Sequence, residues 1–366
     1  MDDEKMRLLL LSEIKGLSNK GKRALVEYFK DTSRIFTCPE SEIKSLWFLN
    51  DKEKDALLTG REIPVSKDIL ESLKSNGISF VTVNEKEYPI MLLDVFNPPF
   101  IIYYRGTLPK EDEECVAMVG ARRCSSYGKN AALALSSLLA KNHIPVVSGL
   151  ALGIDGFSHE GALKGGGKTY AFLGCGVDLC YPASHEDLFE RIVENGAVMS
   201  EYPPGTKPLK NNFPVRNRLI SGLSKRVVIV EAAEKSGSLI TADFALEQGR
   251  EIYVFPGRYD DPLSRGTNKL IYQGAGIILS PEEFVSDILS ISDTALSFTG
   301  GAFRGTVQNL ENDEAMVYSC LDFYPKSFES LSKETGLSML PLMSSVMRLC
   351  DKGLVREAFK NEYVKI

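Results

Sequence analysis

The sequence predicts an α/β protein: a doubly wound and mostly parallel sheet, with a small N-terminal helical domain and a C-terminal winged-helix domain. Its 366 residues exceed one small module, so we expect one large domain with smaller companions. A hydrophobic share of 43% supplies enough apolar material for a sizeable core. Between Cys115 and Ser280, short apolar strands alternate with helical segments, the pattern of parallel strands covered by helices on both faces. The predicted strands are VAMVG, IPVVSG, TYAFLGCG, GAVMSEY, RVVIVEA, EIYVFPG and AGIILS.

Residues 1–64 are predicted to form the small helical domain, because Leu9, Ile14 and Leu25 belong to a series of apolar residues at helical spacing. The stretch IKGLSNKGKRALVEYF is similar to a helix-hairpin-helix, whose glycine-bearing turn offers backbone N–H groups to a phosphate. Ser18 stands where a second glycine would help, and the charges of this region balance. A plain accessory domain is therefore the favoured interpretation.

The next boundaries follow changes in periodicity and composition. Residues 65–280 are predicted to form the large domain, which opens with a helix from Lys67 to Asn76 and a strand from Ile78 to Val83. Residues 281–310 turn acidic and glycine-bearing and lose periodicity, so they are predicted to be a linker.

Residues 311–366 resume helical spacing and end in a short β-wing, so they resemble a winged helix. Its second helix, Met339 to Lys352, carries only Arg348 and Lys352 as cations among methionines and leucines. Strong duplex binding through this helix is therefore disfavoured. Protein contact, or weak assistance to the large domain, fits better.

Several kinds of chemistry are excluded by composition. The seven cysteines contain no C-x-x-C pair and there are only three histidines, so we expect neither a metal site nor a disulfide framework. No apolar stretch is long enough to cross a bilayer, and the N-terminus is acidic where a secretory signal is basic. We therefore expect a cytoplasmic protein without a membrane partner. A net charge of −6 argues against wholesale coating of nucleic acid and directs attention to local basic patches.

Ligands of doubly wound sheets bind at the loops that follow the strands, so those loops hold the candidate residues. In the first, Gly120, Ser125 and the helix beginning near Gly128 form a plausible anion cradle, to which Arg122 adds charge. Arg122 occupies the place of the second glycine of a dinucleotide fingerprint, so no cofactor is expected.

The second loop, SGLALGIDGFSHEGAL, brings Ser148 and Gly149 close to further glycines that permit close approach of a ligand. Asp155 and His159 suggest acid–base catalysis, but an acid at a helix N-terminus and a histidine bonded to a neighbour are the better interpretation. The string GGGKT lies between a helix and a strand, whereas a P-loop follows a strand, so triphosphate binding is rejected.

The segment from Gly205 to Arg226 is the most informative, because it is basic and contains no acidic residue in an acidic protein. Its cations are Lys207, Lys210, Arg216, Arg218, Lys225 and Arg226. Phe213 lies among them, and Asn217 offers an amide to base edges or sugar. Cations that neutralise phosphates, next to a ring that stacks on an unpaired base, are typical of single-stranded nucleic acid binding. The alternative is a solvated loop that orients a helix.

The fourth loop places Ser236, Gly237 and Ser238 at a helix start, another backbone N–H site for an anion. Glycines at strand ends, hydroxyls at helix starts and the basic segment all fall on one edge of the predicted sheet. Together they predict a long, polar, positively charged groove.

These loops also carry a resemblance. The sequence contains VGARRCSSYG, SGLALGIDGFSHEGAL, FPVRNRLISGLS, SGSLITADFALEQGR and FPGRYDDPLSRGTNKLIYQGA in this order. The order resembles the DNA-processing protein A family (DprA, also called Smf) over roughly Tyr88 to Ser280. The resemblance implies an extended Rossmann-like domain that binds single-stranded DNA, forms a homodimer, and helps to load the RecA recombinase during natural transformation. It implies no cofactor and no catalysis.

Carried over by position, the family's arginine falls on Arg122, its lysine on Lys210 and its stacking aromatic on Phe213. One departure is the acidic stretch Tyr181 to Glu190, where some relatives place a basic side chain, so the groove is expected to bind more weakly there. Combined with the residue-based candidates, the predicted binding residues are Gly120, Arg122, Ser125, Tyr127, Gly128, Ser148, Gly149, Lys207, Lys210, Phe213, Arg216, Asn217, Arg218, Gly237 and Ser238.

Two other functions stay open. The first is a nucleotide phosphoribohydrolase-like enzyme on a related Rossmann-like scaffold, which would need a P-G-G-x-G-T-x-x-E string that does not occur here. The second is a transcription factor that uses the winged helix, which the excess of acids over bases in that module disfavours.

Overall fold

The structure is a computed structural model that describes residues 3–61, 71, 73–294, 312–321, 326–352, 354–359 and 361–365. It divides into two compact units, Met1–Ala295 and Leu296–Ile366. The predicted domain boundary at residue 64 lies outside the described residues, as do residues 67–70 and 72 of the helix predicted from Lys67 to Asn76.

The larger unit alternates helices with strands after its N-terminal helices. The helices are α1 (Asp3–Glu13), α2 (Asn19–Phe29), α3 (Thr32–Thr37), α4 (Glu40–Ser45), α5 (Asp51–Gly60), α6 (Ser126–Lys141), α7 (Ile154–Lys164), α8 (Glu186–Asn195), α9 (Asn212–Gly222), α10 (Ser238–Glu247), α11 (Arg265–Tyr272) and α12 (Pro281–Thr294). The strands are β1 (Ser79–Thr82), β2 (Ile101–Gly106), β3 (Cys115–Val119), β4 (Val146–Ser148), β5 (Thr169–Phe172), β6 (Ala197–Ser200), β7 (Ser224–Ile229), β8 (Glu251–Val254) and β9 (Gly276–Ile277).

The nine strands form one sheet in the order β1-β2-β6-β5-β4-β3-β7-β8-β9. The pairs β1–β2 and β2–β6 are antiparallel, and all pairs from β6 to β9 are parallel. The predicted α/β class with a large, mostly parallel sheet is therefore confirmed. From β3 the chain builds outward through β4, β5 and β6, then returns to add β7 on the other side of β3. This reversal is a topological switch point, where ligands of such sheets bind.

The N-terminal helices share a hydrophobic core with the start of the sheet. Leu9 and Leu25 belong to the same buried cluster as Phe80 and Tyr103 of β1 and β2. The Tyr103 hydroxyl also donates a hydrogen bond to Glu13 Oε1 at 2.6 Å. Helix α1 is thus fixed to the first two strands.

The prediction of a linker from residue 281 is wrong over residues 281–294, which form α12. Phe284, Val285 and Ile288 of this helix are buried in the core that also contains residues of α6. Their spacing is helical, but the acidic and glycine-bearing stretch that follows obscured it in the sequence. Residues 295–310, the rest of the predicted linker, lie outside the described residues.

The smaller unit has its own core. Its elements are α13 (Asn312–Cys320), β10 (Lys326–Ser327), α14 (Phe328–Thr335), α15 (Met339–Asp351), β11 (Val355–Phe359) and β12 (Glu362–Lys365). The strands pair in the order β10-β12-β11. Val317, Leu331, Leu342 and Val346 are buried together. Helix α14 ends at Thr335 and is followed by Gly336, whose φ of +71° is left-handed.

None of the helices in the described part of the chain is both long and apolar enough to cross a membrane.

Candidate nucleic-acid interface

A cleft of about 610 Å³ opens beside the switch point, at the carboxyl ends of β3 and β7. Of the fifteen predicted binding residues, eight line it: Gly120, Arg122, Lys210, Phe213, Arg216, Asn217, Gly237 and Ser238. The predicted edge of the sheet therefore does carry a groove, although its composition differs from the prediction in several places.

The loop after β3 brings two arginines to the cleft. A Cβ at Gly120 would lie 2.7 Å from Ile154 Cγ1 and 2.9 Å from the Glu231 carbonyl oxygen, so only glycine fits this tight passage. Arg122 and Arg123 follow immediately and are exposed. The Arg122 guanidinium lies 5.8 Å from the centre of the Phe213 ring, within the range of a cation–π contact.

The predicted anion cradle at the start of α6 is already filled, by Glu231. This carboxylate, only 1% exposed, accepts hydrogen bonds from Ser125 N at 2.8 Å and from Ser125 Oγ. Ser125 Oγ in turn accepts from Gly128 N at 3.1 Å. An internal carboxylate thus occupies the position where the sequence analysis predicted a phosphate. Ser125 and Gly128 position the loop and do not line the cleft.

The glycine loop after β4 forms the support beneath the cleft. Ser148 is buried and donates to the Met118 carbonyl at 2.6 Å. Gly149 N donates to Asp155 Oδ2 at 3.1 Å, and a Cβ at Gly149 would lie 2.5 Å from Arg216 Nη1. These two predicted residues therefore pack the floor instead of contacting a ligand.

Arg216 is a buried clamp and not a phosphate contact. It is 3% exposed, and Nη1 donates to the carbonyls of Gly149, at 2.7 Å, and Phe172. Burial lowers its pKa to about 10, and the nearby Asp155 carboxylate opposes this shift, so Arg216 stays charged at neutral pH. Arg216 thereby joins the ends of β4 and β5 under the cleft.

The expectation that all six cations of the basic segment line one track is wrong. Arg218 is buried and paired with Glu201 at 2.7 Å. Lys225 and Arg226 lie at the start of β7, on the opposite edge of the sheet, and both pair with Glu114. The cause is the helical and then extended backbone of the segment, which turns successive cations to different sides.

Lys207 and Lys210 precede α9 and are exposed, and within the described ranges neither makes an ion pair. Lys210 lines the cleft, whereas Lys207 lies outside its lining. Tyr127 is also outside it, with its hydroxyl donating to the Pro256 carbonyl at 2.8 Å.

Two residues that line the cleft, Tyr181 and Lys235, were not among the predicted binding residues. Tyr181 lines the cleft, is 45% exposed, and places its ring 5.5 Å from that of Phe213 at an interplanar angle of 43°. Lys235, exposed in the loop after β7, also lines the cleft. The available signal was their position in the loops after β5 and β7, at the edge of the sheet where ligands of doubly wound folds bind. The exposed cations that line the cleft are thus Arg122, Arg123, Lys210 and Lys235, whereas Arg218, Lys225 and Arg226 point elsewhere.

The second loop places no acid–base pair at the cleft, because Asp155 lines it whereas His159 does not. His159 is buried, its Nδ1 lies 2.7 Å from Thr169 Oγ1, and burial lowers its pKa to about 3. Burial raises the pKa of Asp155, while the Arg216 charge opposes this rise. Across the residues that the structure describes, no group of three histidine, cysteine, aspartate or glutamate side chains is arranged to hold a metal ion.

The fold and the cleft together define a doubly wound α/β protein with a basic, aromatic-bearing cleft at its switch point, a class suited to binding polyanions. The chain belongs to the DNA recombination-mediator protein A family, whose sequence model matches residues 79–289. The family resemblance that the loop motifs suggested is therefore confirmed.

Named relatives and solved structures agree with this membership. The Smf protein of Synechocystis is 33% identical over 79% of this chain and 74% of its own, and the DprA protein of Bacillus subtilis is 39% identical over 60% and 74%. The crystal structure of Streptococcus pneumoniae DprA matches with a TM-score of 0.65 at 30% identity, covering 81% of this chain and 99% of that one. A Helicobacter pylori DprA structure, described as a unique mode of single-stranded DNA binding, matches with a TM-score of 0.54 at 32% identity over 59% and 98%.

Proposed function

We propose that this protein binds single-stranded DNA in the cleft beside β3 and β7, in the cytoplasm, and delivers it to a RecA-type recombinase. One observation carries the proposal: exposed cations from three separate loops surround a pair of aromatic rings at the switch point. The single-stranded DNA binding named for the Helicobacter pylori relative supports it.

The aromatic pair favours an unpaired strand over a duplex. Phe213 is half-buried, with the Arg122 and Arg216 guanidinium groups over its ring at 5.8 and 5.9 Å, and Tyr181 beside it is 45% exposed. The exposed part of this aromatic pair would meet a base that is not already paired and stacked. Stacking of a base on an aromatic ring contributes about 1–3 kcal/mol and tolerates any sequence. Arg122, Lys210 and Lys235 would contact the phosphates.

Neither acid–base chemistry nor a cofactor is part of the proposal. His159 and Asp155 are buried and engaged within the protein. Incubation with nucleoside monophosphates should therefore release no free base, and release of base would favour the phosphoribohydrolase alternative.

Further assignments belong to the same proposal. We propose that residues 1–64 act as an accessory helical domain and that residues 311–366 form a winged helix, supported by the order of α13, β10, α14, α15, β11 and β12. We also propose a homodimer. Light scattering of the full chain tests the dimer. Delivery is tested by measuring the binding of purified RecA, in the presence of this protein, to chips with and without immobilised DNA.

The central experiment is a titration of labelled single strand, in competition with unlabelled duplex of equal length, at two salt concentrations. Single strand should win, and affinity should fall as salt rises. Lys210→Glu should weaken binding about tenfold or more and reduce the salt slope by about 0.7 for the lost phosphate contact. The matched control is Lys225→Glu, the same charge change on the opposite edge of the sheet. Equal losses of affinity in the two variants would mean that only the net charge of the protein matters. Such a result would contradict binding in the cleft.

A second variant separates stacking from charge. Phe213→Ala should lower affinity about tenfold while leaving the salt slope nearly unchanged, because it removes a ring and no charge. An unchanged affinity would mean that Phe213 only packs against Tyr181.

A further inference from the structure

A cavity of about 520 Å³ lies among the N-terminal helices and shares no lining residue with the cleft. It is formed by the start of α2 and by the segment between α4 and α5, and its lining includes Lys20 and Trp47. We propose that Trp47 stacks on a base of single-stranded DNA and that Lys20 contacts a neighbouring phosphate. The inference rests on the proposed function and adds to it a second contact with the strand, outside the cleft.

The ring of Trp47 is held in place but not covered. It is the only tryptophan in the sequence and is 87% exposed. It meets Phe48 edge-on, at 5.7 Å between ring centres and an interplanar angle of 88°. Phe48 in turn lies 5.6 Å from the ring of Tyr28, which is 52% exposed. An edge-on contact orients the indole without covering its faces, so the faces are available for stacking.

The turn between α1 and α2 cannot hold a phosphate in the manner of a helix-hairpin-helix, because an internal carboxylate already occupies it. Glu53 is 8% exposed and accepts hydrogen bonds from Ser18 N at 3.2 Å and Ser18 Oγ at 2.5 Å. It also accepts from Asn50 N at 3.2 Å and Asn50 Nδ2 at 2.8 Å. A strand that binds at this cavity must therefore use side chains, and the exposed ring and cation are the side chains suited to it.

The charge of the cavity favours a nucleic acid over an apolar peptide. Lys20 and Glu53 are the charged residues of its described lining. Lys20 is exposed and makes no ion pair with any described residue, whereas the Glu53 carboxylate is buried and hydrogen-bonded. An apolar peptide would use the ring and leave the ammonium without a partner. A single strand uses both groups, since its bases stack on aromatic rings and its phosphates attract cations.

The single tryptophan makes the site directly observable. The emission of Trp47 in the full chain is recorded while a dT oligonucleotide is added, and again with a sugar–phosphate strand of the same length that carries no bases. Affinities for labelled dT oligonucleotide are measured separately, by anisotropy, for Trp47→Leu, Trp47→Phe and Lys20→Gln. Lys15→Gln is the matched control, because Lys15 is an exposed cation between α1 and α2 that does not line the cavity.

The dT oligonucleotide should quench the emission of Trp47, whereas the base-free strand should leave it nearly unchanged. Trp47→Leu should weaken binding about tenfold without changing its salt dependence, because a ring and no charge is lost. Trp47→Phe keeps a ring and should recover most of that affinity. Lys20→Gln should weaken binding about threefold and reduce the salt slope by about 0.7, and Lys15→Gln should do neither.

Other outcomes separate this site from the cleft. If Lys210→Glu and Phe213→Ala weaken binding while dT neither quenches Trp47 nor distinguishes Trp47→Leu from the parent, the Trp47 site is overturned and the proposed function stands. If dT quenches Trp47 but Lys210→Glu and Phe213→Ala bind as the parent does, the Trp47 site stands and binding in the cleft fails. Equal quenching by the base-free strand would mean that phosphate binding elsewhere alters the surroundings of Trp47, and would overturn the stacking.

Discussion

The starts of α6 and α10 lie on the two sides of the switch point, and they treat the same physical property in opposite ways. Each helix presents N–H groups that attract negative charge. At α6 the Glu231 carboxylate satisfies them through Ser125, whereas at α10 the side-chain acceptor is a neutral hydroxyl, Ser236 Oγ, 3.4 Å from Ser238 N. A helix N-terminus is therefore available to a ligand only where the rest of the fold supplies no anion of its own.

The largest expected effect comes from emptying the filled terminus. Glu231→Ala should lower the free energy of unfolding by about 3 kcal/mol, because it leaves the Ser125 N–H and hydroxyl without the charged acceptor they share. Urea unfolding measures this change. Added sulfate or phosphate should restore part of the stability in the variant if the vacated terminus accepts an anion.

Glu234→Ala, an exposed position in the following loop, is the control and should stay within about 0.5 kcal/mol of the parent. Equal stability of both variants would show that Glu231 does not hold the α6 terminus, and the contrast with α10 would disappear.

A smaller effect is expected from placing the same methyl group at the two termini. In Gly128→Ala the new Cβ would lie 2.3 Å from Glu231 Oε2, so the carboxylate must move and we expect a loss of about 2 kcal/mol. In Gly237→Ala the methyl group enters open space at an ordinary φ of −64°, so stability should change by less than about 0.5 kcal/mol. Parallel thermal and urea unfolding compare the two variants, and similar losses would contradict the filled-versus-open distinction.

The smallest effect concerns a third helix start, that of α2, where Glu53 accepts hydrogen bonds from Ser18 N and Oγ. Burial raises the pKa of Glu53, but the hydrogen bonds from Ser18 and Asn50 outweigh it and hold the pKa below its ordinary 4.5. A lowered folded pKa stabilises the protein above the ordinary value, and this stabilisation is lost as the pH falls through the folded value. Glu53→Gln should therefore cost about 1 kcal/mol near pH 7 and progressively less below about pH 4.5.

Unfolding of the parent and of Glu53→Gln at several pH values tests this expectation. Glu27→Gln, on the exposed face of α2, should give a small difference that does not change with pH. If the difference in free energy of unfolding between the parent and Glu53→Gln is constant from pH 7 to pH 3, the Glu53 carboxylate does not stabilise the start of α2.

The α/β fold was predictable from the sequence because it rests on local information. The parallel strands are recognisable in the sequence as short apolar runs. Strand β3 is buried along its whole length, as expected for such a run. Even α12 carried its helical spacing in Phe284, Val285 and Ile288, although the stretch after it obscured the pattern.

The cleft was only partly predictable, because its properties depend on residues distant in the chain. Glu231 lies 106 residues after Ser125, and nothing near VGARRCSSYG indicates that a carboxylate will arrive there. Similarly, Arg218 looks like a free cation in the sequence until β6 places Glu201 beside it. Residue type and spacing identified the right edge of the sheet, but not which charges were already neutralised within the protein.

The hydrogen bonds that Arg216 makes under the cleft would affect both the rate and the affinity with which the cleft binds a ligand. Because one guanidinium donates hydrogen bonds to both the Gly149 and the Phe172 carbonyls, it holds the ends of β4 and β5 at a fixed separation. Little conformational entropy is then left to be lost at the floor on association. The entropy lost on binding would then come from the exposed lysines at the edge of the cleft and from the bound strand. Binding should therefore need little rearrangement of the protein.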